Sequence, residues 1–503
     1  MSRTRRVRWA RRAGIAVAVL VAAAAAAFSA TRPDPHTDAV ADGCERNPIG
    51  LYTAESPNWA YVGDRSTPAA AAPPPPQWVR GVVDSQFAPW LAVHPTGVDN
   101  PFTHASYDMV MNVDPDPAYE FLLGGNPGAA TGNFEGAGES AYRLHTEWES
   151  AAFGRFARPD RGDRVELLGS WVWDCDHFAG GGERTELHPL RAVVVHRGPS
   201  PASPRGETET DVLVSTDATP AAVQAECAHR TKHDRAAFRN CVRGTTPWQD
   251  VSGSYRFFVR APARPSARAR MTVRVRDHGS VGGVRVQTAR ARGGVWVSFR
   301  IAAQPGRRVV VAKQVLVGWT PLPARSRPVH LRVSFRSLLV RRAMDPGCPG
   351  ARERSCGSVQ TTLGQQVSQP PGEWVVYWNV GGVWGTWAPL VLRARDGDVF
   401  RGRQSVDLYV PRGTPWRVFM FARECDFGTL SLGGSQPVAP CPRSAEAGDG
   451  VGDDTAGSLE VRFRSPAASL GLHTVDSRLA GSSCPPANRR GCFRVAFDVA
   501  RVG

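Results

Sequence analysis

Short runs of alternating apolar and polar residues fill most of this 503-residue chain. Within Tyr107–Val113, Tyr142–Trp148, Arg164–Trp173 and Leu187–Val195, Val, Leu, Met or Trp recur at alternate positions or in apolar blocks, and Gly, Pro and Asp separate the runs. Such runs predict strands with one or both faces buried. The same pattern predicts strands at Asp211–Ser215, Ser254–Val259, Ala269–Arg276, Val284–Arg290, Val295–Ile301, Arg308–Val317 and His330–Val340. Six more follow at Glu373–Val380, Ala388–Arg393, Ser405–Val410, Trp416–Ala422, Ser458–Arg464 and Cys492–Val502. Helical candidates are confined to Pro117–Leu123 and Ala221–Ala236. An all-β chain is expected, divided into domains at 78–197, 198–345 and 346–503, the last two being β-sandwiches.

Ahead of these domains stand two segments of different composition. Residues 2–12 hold six arginines and no acid, and an apolar run extends from Ala13 to Ala30. A basic start, an apolar middle and small residues at the end make residues 1–30 a signal peptide or a single membrane anchor. Either way the remainder is expected outside the cytoplasm, secreted or held at the cell membrane. Residues 31–77 are rich in Pro and Ala and read as a linker.

Ten cysteines follow: Cys44, Cys175, Cys227, Cys241, Cys348, Cys356, Cys425, Cys441, Cys484 and Cys492. An even number in an oxidising compartment predicts disulfides. Four pairs are near in sequence (227/241, 348/356, 425/441 and 484/492), which leaves Cys44 for Cys175. No two cysteines have the C-x-x-C spacing of a zinc site.

The formal charge of +15 is unevenly spread. Residues 201–345 carry 24 Arg and 2 Lys against 9 acids, a local +17, while the rest of the chain beyond the basic N-terminus is net acidic. Arg268, Arg270, Arg274 and Arg276 share one strand parity, and Met271, Val273 and Val275 share the other. Arg290 stands in a neighbouring run, and Arg332 and Arg336 alternate with Leu331, Val333 and Phe335. Strands that bury the apolar parity present the guanidinium groups outward, where they match phosphate and carboxylate oxygens. The expected partner is an anionic envelope surface or polymer. Specific nucleic-acid binding is not expected, because no recognised motif accompanies the charge.

One segment carries candidate chemistry. It runs Gly162-Asp163-Arg164-Val165 to Trp173-Asp174-Cys175-Asp176-His177, and Glu186-Leu187-His188-Pro189 follows. This resembles a pattern of uncharacterised secreted actinobacterial proteins, GD-x-V, then D, then H, then E-[IL]-H-P ahead of a strand, over residues 140–196. The resemblance implies a small OB-like β-barrel and brings no established activity. Glu186 and His188 share a strand parity, as do His145 and Glu147. Together with His177 these residues form a candidate site for a divalent metal, since imidazole and carboxylate are metal ligands. Hydrogen-bonding roles for the same residues are the competing reading. Asp396, Asp398 and other loop acids of the last third match no calcium motif and read as turn residues. No G-x-S-x-G, H-E-x-x-H, P-loop or dinucleotide fingerprint is present. The reading favoured is a non-catalytic exported binding protein that requires no cofactor. A metal-dependent hydrolase and a structural envelope protein are the alternatives.

Overall fold

The computed structural model describes residues 59–62, 75–83, 94–96, 108–124, 133, 143–148, 155–174, 184–216, 250–304, 307–343, 358–360, 366–368, 372–388, 392–425, 454–478 and 492–503. The export segment 1–30, most of the linker, the Ala221–Ala236 helix candidate and His177 lie outside them. Cys492 is buried and disulfide-bonded, and the other nine cysteine side chains lie outside the described part. Among the described residues no helix is long and apolar enough to cross a membrane.

The first seven strands are β1 (Trp59–Tyr61), β2 (Gln77–Val83), β3 (His94–Thr96), β4 (Asp108–Pro115), β5 (Leu144–Trp148), β6 (Arg164–Asp174) and β7 (Arg184–Pro199). Five of them close a ring in which β2 pairs with β4, β4 with β5, β5 with β7, β7 with β6 and β6 with β2. Only the β5–β7 pairing is parallel. Counted in chain order, the ring runs 1-2-3-5-4-1, the order of an OB-like barrel. Its wall alternates as the sequence does: Val79 and Val83 are buried while Arg80 points to solvent. Between them Gly81 is required by proximity, because a Cβ there would meet the Asp114 carbonyl oxygen at 2.3 Å. The Pro117–Leu123 candidate forms a 3-10 helix over Pro117–Leu122.

Strand β7 is longer than the barrel needs. Its C-terminal half also pairs with β8 (Thr208–Ser215) and so starts the second unit, a sandwich. The remaining strands of that unit are β9 (Gly253–Arg260), β10 (Arg270–Asp277), β11 (Gln287–Ala291), β12 (Gly294–Ile301) and β13 (Val310–Thr320). One sheet runs β7-β8-β13-β10 and the facing sheet β11-β12-β9. The alternation of β7 divides its side chains between two cores. Val193 and Val195 enter the barrel core, and Ala192 and Val194 enter the sandwich core.

The last strands are β14 (Val329–Val340), β15 (Ser358–Gln360), β16 (Gln366–Ser368), β17 (Gly372–Val380), β18 (Val383–Thr386), β19 (Leu392–Ala394), β20 (Val399–Arg401), β21 (Ser405–Val410), β22 (Trp416–Cys425), β23 (Asp454–Phe463), β24 (Gly471–Asp476) and β25 (Phe493–Arg501). In one sheet β14 pairs with β20, β21 and β25, and β24 follows β25. In the facing sheet β17 pairs with β18, β19 and β22, and β23 follows β22. Trp374, Val376 and Trp378 of β17 face the sandwich core, while Val375 and Tyr377 face the barrel core. Both faces of β17 are therefore covered, which accounts for its unbroken apolar run.

The structure bears out an all-β chain of one OB-like barrel and two sandwiches. It places two boundaries elsewhere. The expected cut at 197/198 falls inside β7, which serves both units. Strand β14, expected in the second unit, pairs only within the third unit, so the break precedes Val329. Alternation shows that a run is a strand but not which sheet receives it.

Candidate functional site

The parallel β5–β7 pairing sets His145 directly beside Glu186. On β5, Leu144 and Trp148 enter the barrel core, so His145 and Glu147 lie on the opposite face. On β7, Leu187 does the same, and Glu186 and His188 share the other parity. Four of the five proposed metal residues thus converge, and the fifth, His177, lies outside the described residues. His145 Nε2 is 2.9 Å from Glu147 Oε1, and His188 Nδ1 is 3.1 Å from Glu186 Oε1 and 3.4 Å from Glu147 Oε2. His145, Glu147 and Glu186 can offer one ligand atom each, all within 4.8 Å of one another, and this group could hold a metal ion. Asn112, opposite His145 on β4, places its Oδ1 2.8 Å from His145 Nδ1. The sequence reading missed Asn112, whose signal lies only in the cross-strand register.

Glu147, Glu186 and His188 are 3%, 4% and 1% exposed. Such burial suits a brace or a structural ion rather than a centre that must admit substrate.

The proposed arginines do not form one free surface. Arg274 forks onto Glu207, with Nε 3.0 Å from Oε1, and Arg276 donates to Gln314 Oε1 at 3.3 Å. Burial alone would raise the Glu207 carboxyl, but hydrogen bonds from Arg274 and Ser203 hold it below its usual value. Arg332 and Arg336 stand on the third unit's sheet, where Arg332 grips Asp407 at 2.9 and 3.0 Å and Arg336 reaches Asp498 at 3.2 Å. Arg268, Arg270 and Arg290 are exposed and meet no carboxylate among the described residues. Strand β10 is the last of its sheet, and Val275, expected to be buried, is 42% exposed. Cross-strand and loop acids or amides, invisible to parity, occupy the other four.

A different face carries charge that no carboxylate among the described residues compensates. On β9 and β12, Tyr255, Phe257, Val259, Val295, Val297 and Phe299 fill the core. Arg256, Phe258 and Arg260 of β9 therefore share the outer face with Trp296 and Arg300 of β12. Trp296 is 36% exposed. The Arg256 guanidinium lies 4.2 Å from the centre of its ring, and the Phe258 ring is 5.1 Å away. Between Ser252 and Gln304 the sequence has 11 arginines and one acid, Asp277, which Lys313 holds at 2.7 Å. The sequence reading overlooked this face, although S-Y-R-F-F-V-R and V-W-V-S-F-R carry it in plain alternation.

A third cluster joins the units. Arg197, at the end of β7, donates to Glu209 at 2.9 Å, to Asp211, to the Phe156 carbonyl at 2.9 Å and to the Arg158 carbonyl, and pairs with Asp163 at 3.3 Å. Next to it Arg417 binds Asp160 and Glu460. A cavity of about 660 Å³ between barrel and third unit is lined by both groups. The charges bind one another, which suits a joint. Burial pushes the Asp163 carboxyl up to about 6 against the pull of Arg197. A carboxyl raised in the folded state gains stability as pH falls through that value and loses it as pH rises. Between pH 7.5 and 5 the unfolding free energy is expected to rise by about 1–1.5 kcal/mol relative to Asp163→Asn. Parallel profiles for the two proteins would contradict this.

No protein-family model matches the chain, and no curated protein matches it. Among solved structures it is similar to a C2 domain of plant Extended Synaptotagmin 1, at 10% identity over 35% of this chain and 98% of that one, with a TM-score of 0.18. A second is a region of Extended-Synaptotagmin 2 comprising its SMP domain and two C2 domains, at 8% identity over 78% of this chain and 83% of that one, also with a TM-score of 0.18. At such scores neither likeness carries an argument, and the architecture rests on the strand pairing itself.

Proposed function

We propose that this is an extracytoplasmic, non-catalytic binding protein that contacts an anionic surface or polymer of the cell envelope. The carrying observation is the outer face of β9 and β12, where Arg256 lies over an exposed Trp296, Arg260 and Arg300 share the face, and none of the three arginines meets a carboxylate among the described residues. Arginine forks suit phosphate and carboxylate oxygens, and an indole half in water suits a boundary between apolar and polar matter. The signal-like N-terminus supports export. A hydrolase at the histidine–carboxylate cluster has the ligand chemistry, but the burial of its residues counts against it.

Binding of the chain to phosphatidylglycerol-containing vesicles or to a phosphate-bearing wall polymer is expected to fall steeply with salt. The triple substitution Arg256→Gln, Arg260→Gln, Arg300→Gln is expected to weaken it at least about tenfold at low salt with an unchanged Tm, since each lost charge–phosphate contact removes part of the affinity. Changing Arg332 and Arg336, already paired, should matter far less. Equal binding by the triple variant and the native protein would overturn the assignment.

A further inference from the structure

We infer that His145, Glu147 and Glu186 ligate a divalent transition-metal ion, zinc in the first place, as a structural centre joining β5 to β7. The proposal is independent of anion binding by the sandwich of β9 and β12. Its basis is a ligand set assembled from two strands that are far apart in sequence and adjacent by parallel pairing. The three ligand atoms lie within 4.8 Å of one another, close enough that small side-chain shifts would bring them to the roughly 3.3–3.6 Å spacing of tetrahedral donors about 2.0–2.2 Å from one ion. One imidazole nitrogen with two carboxylates is a donor set for zinc or manganese rather than for calcium, which takes oxygen ligands alone.

The surroundings are built for an ion. In the tautomer that a bound ion would select, His145 Nδ1–H donates to Asn112 Oδ1 at 2.8 Å and the Nε2 lone pair faces Glu147 Oε1 at 2.9 Å. In that tautomer the two electron-rich atoms share a cation, a metal ion or a proton. Ligating histidines characteristically donate their second N–H in this way. His188, 1% exposed, stands one step back as a positioning residue, its Nδ1 within 3.1 and 3.4 Å of Glu186 and Glu147. A divalent ion here would sit between two nearly buried carboxylates, Glu147 and Glu186. The rival arrangement is metal-free, with each imidazole, neutral or protonated, donating an N–H to a carboxylate.

The two are separable with the full chain. Purified without chelator and then equilibrated with zinc, it is expected to retain about one equivalent after dialysis, by elemental analysis. Removal by a strong chelator should lower Tm, and zinc should restore it. Glu186→Gln keeps the shape and a hydrogen-bond acceptor for His188 but lowers the charge. It should lose the ion and the zinc-dependent part of Tm, as should His145→Gln, whereas His188→Gln should bind zinc more weakly. A cobalt-loaded native chain, which needs no variant to fold, should show visible ligand-field absorption that zinc displaces. Less than a tenth of an equivalent of zinc with no change in Tm would overturn the proposal in favour of the proton-bridged brace. Retention of the ion by both Glu186→Gln and His145→Gln would overturn it too, by placing the ion elsewhere.

Discussion

Replacing Arg197 with Met is expected to lower stability by about 3–5 kcal/mol near neutral pH, read from the denaturant midpoint, because a buried ionic cluster loses its cation. Asp163, Glu209 and Asp211 converge on this one guanidinium. Their side chains are 19%, 5% and 0% exposed, and that of Arg197 is 8%. Burial already pushes the Asp211 carboxyl well above its usual value, against the pull of Arg197. Without that cation the three carboxylates repel one another and take up protons more readily. The deficit should therefore shrink as pH falls toward 5. Arg197→Lys should recover only part of it, since one ammonium cannot serve the carboxylates and the carbonyls of Phe156 and Arg158 together. A loss below about 1 kcal/mol would mean that the cluster contributes little.

Truncating Phe421 to Ala is expected to cost about 3–5 kcal/mol, the range for removing a large buried ring. Phe421 is 1% exposed, stacks on Tyr377 with centroids 4.7 Å apart and meets Trp384 edge-on at 6.5 Å. All three belong to the third unit, yet they fill the same core as Leu144, Leu187 and Val193 of the barrel. The loss should accordingly appear in the unfolding of both units. Tyr377→Ala combined with Phe421→Ala should be non-additive, as contacting residues are. A barrel transition that stays in place while the third unit melts earlier would refute the shared core.

Much of this architecture was legible in the chain. Ser405–Val410 coincides with β21, Ser254–Val259 falls one residue short of β9 at each end, and Val295–Ile301 begins one residue after β12 does. The GD-x-V and E-L-H-P resemblance implied an OB-like barrel, and β2, β4, β5, β6 and β7 form one. Strand β24 escaped notice because Gly471–Asp476 is exposed or half-buried throughout and shows no buried parity. Asp396 and Asp398 act as turn residues, accepting from the backbone N–H groups of Ala343 and Arg395.

The candidate sites divide along the same line. Parity alone put Glu186 with His188 and His145 with Glu147, because side chains two apart on a strand share a face. Bringing those two pairs together required the parallel pairing of strands remote from each other in the chain. The arginine cluster shows the converse. The sequence determined that the middle of the chain is strongly basic and that its arginines alternate with apolar residues. Which arginines stay uncompensated was decided by distant acids: Glu207 meets Arg274, Asp407 meets Arg332, and Asp498 meets Arg336. Local pattern specifies strands and faces because it reflects the geometry of one chain segment. Pairing partners, shared cores and charge compensation arise from segments remote in sequence, and only the tertiary structure brings those within reach of one another.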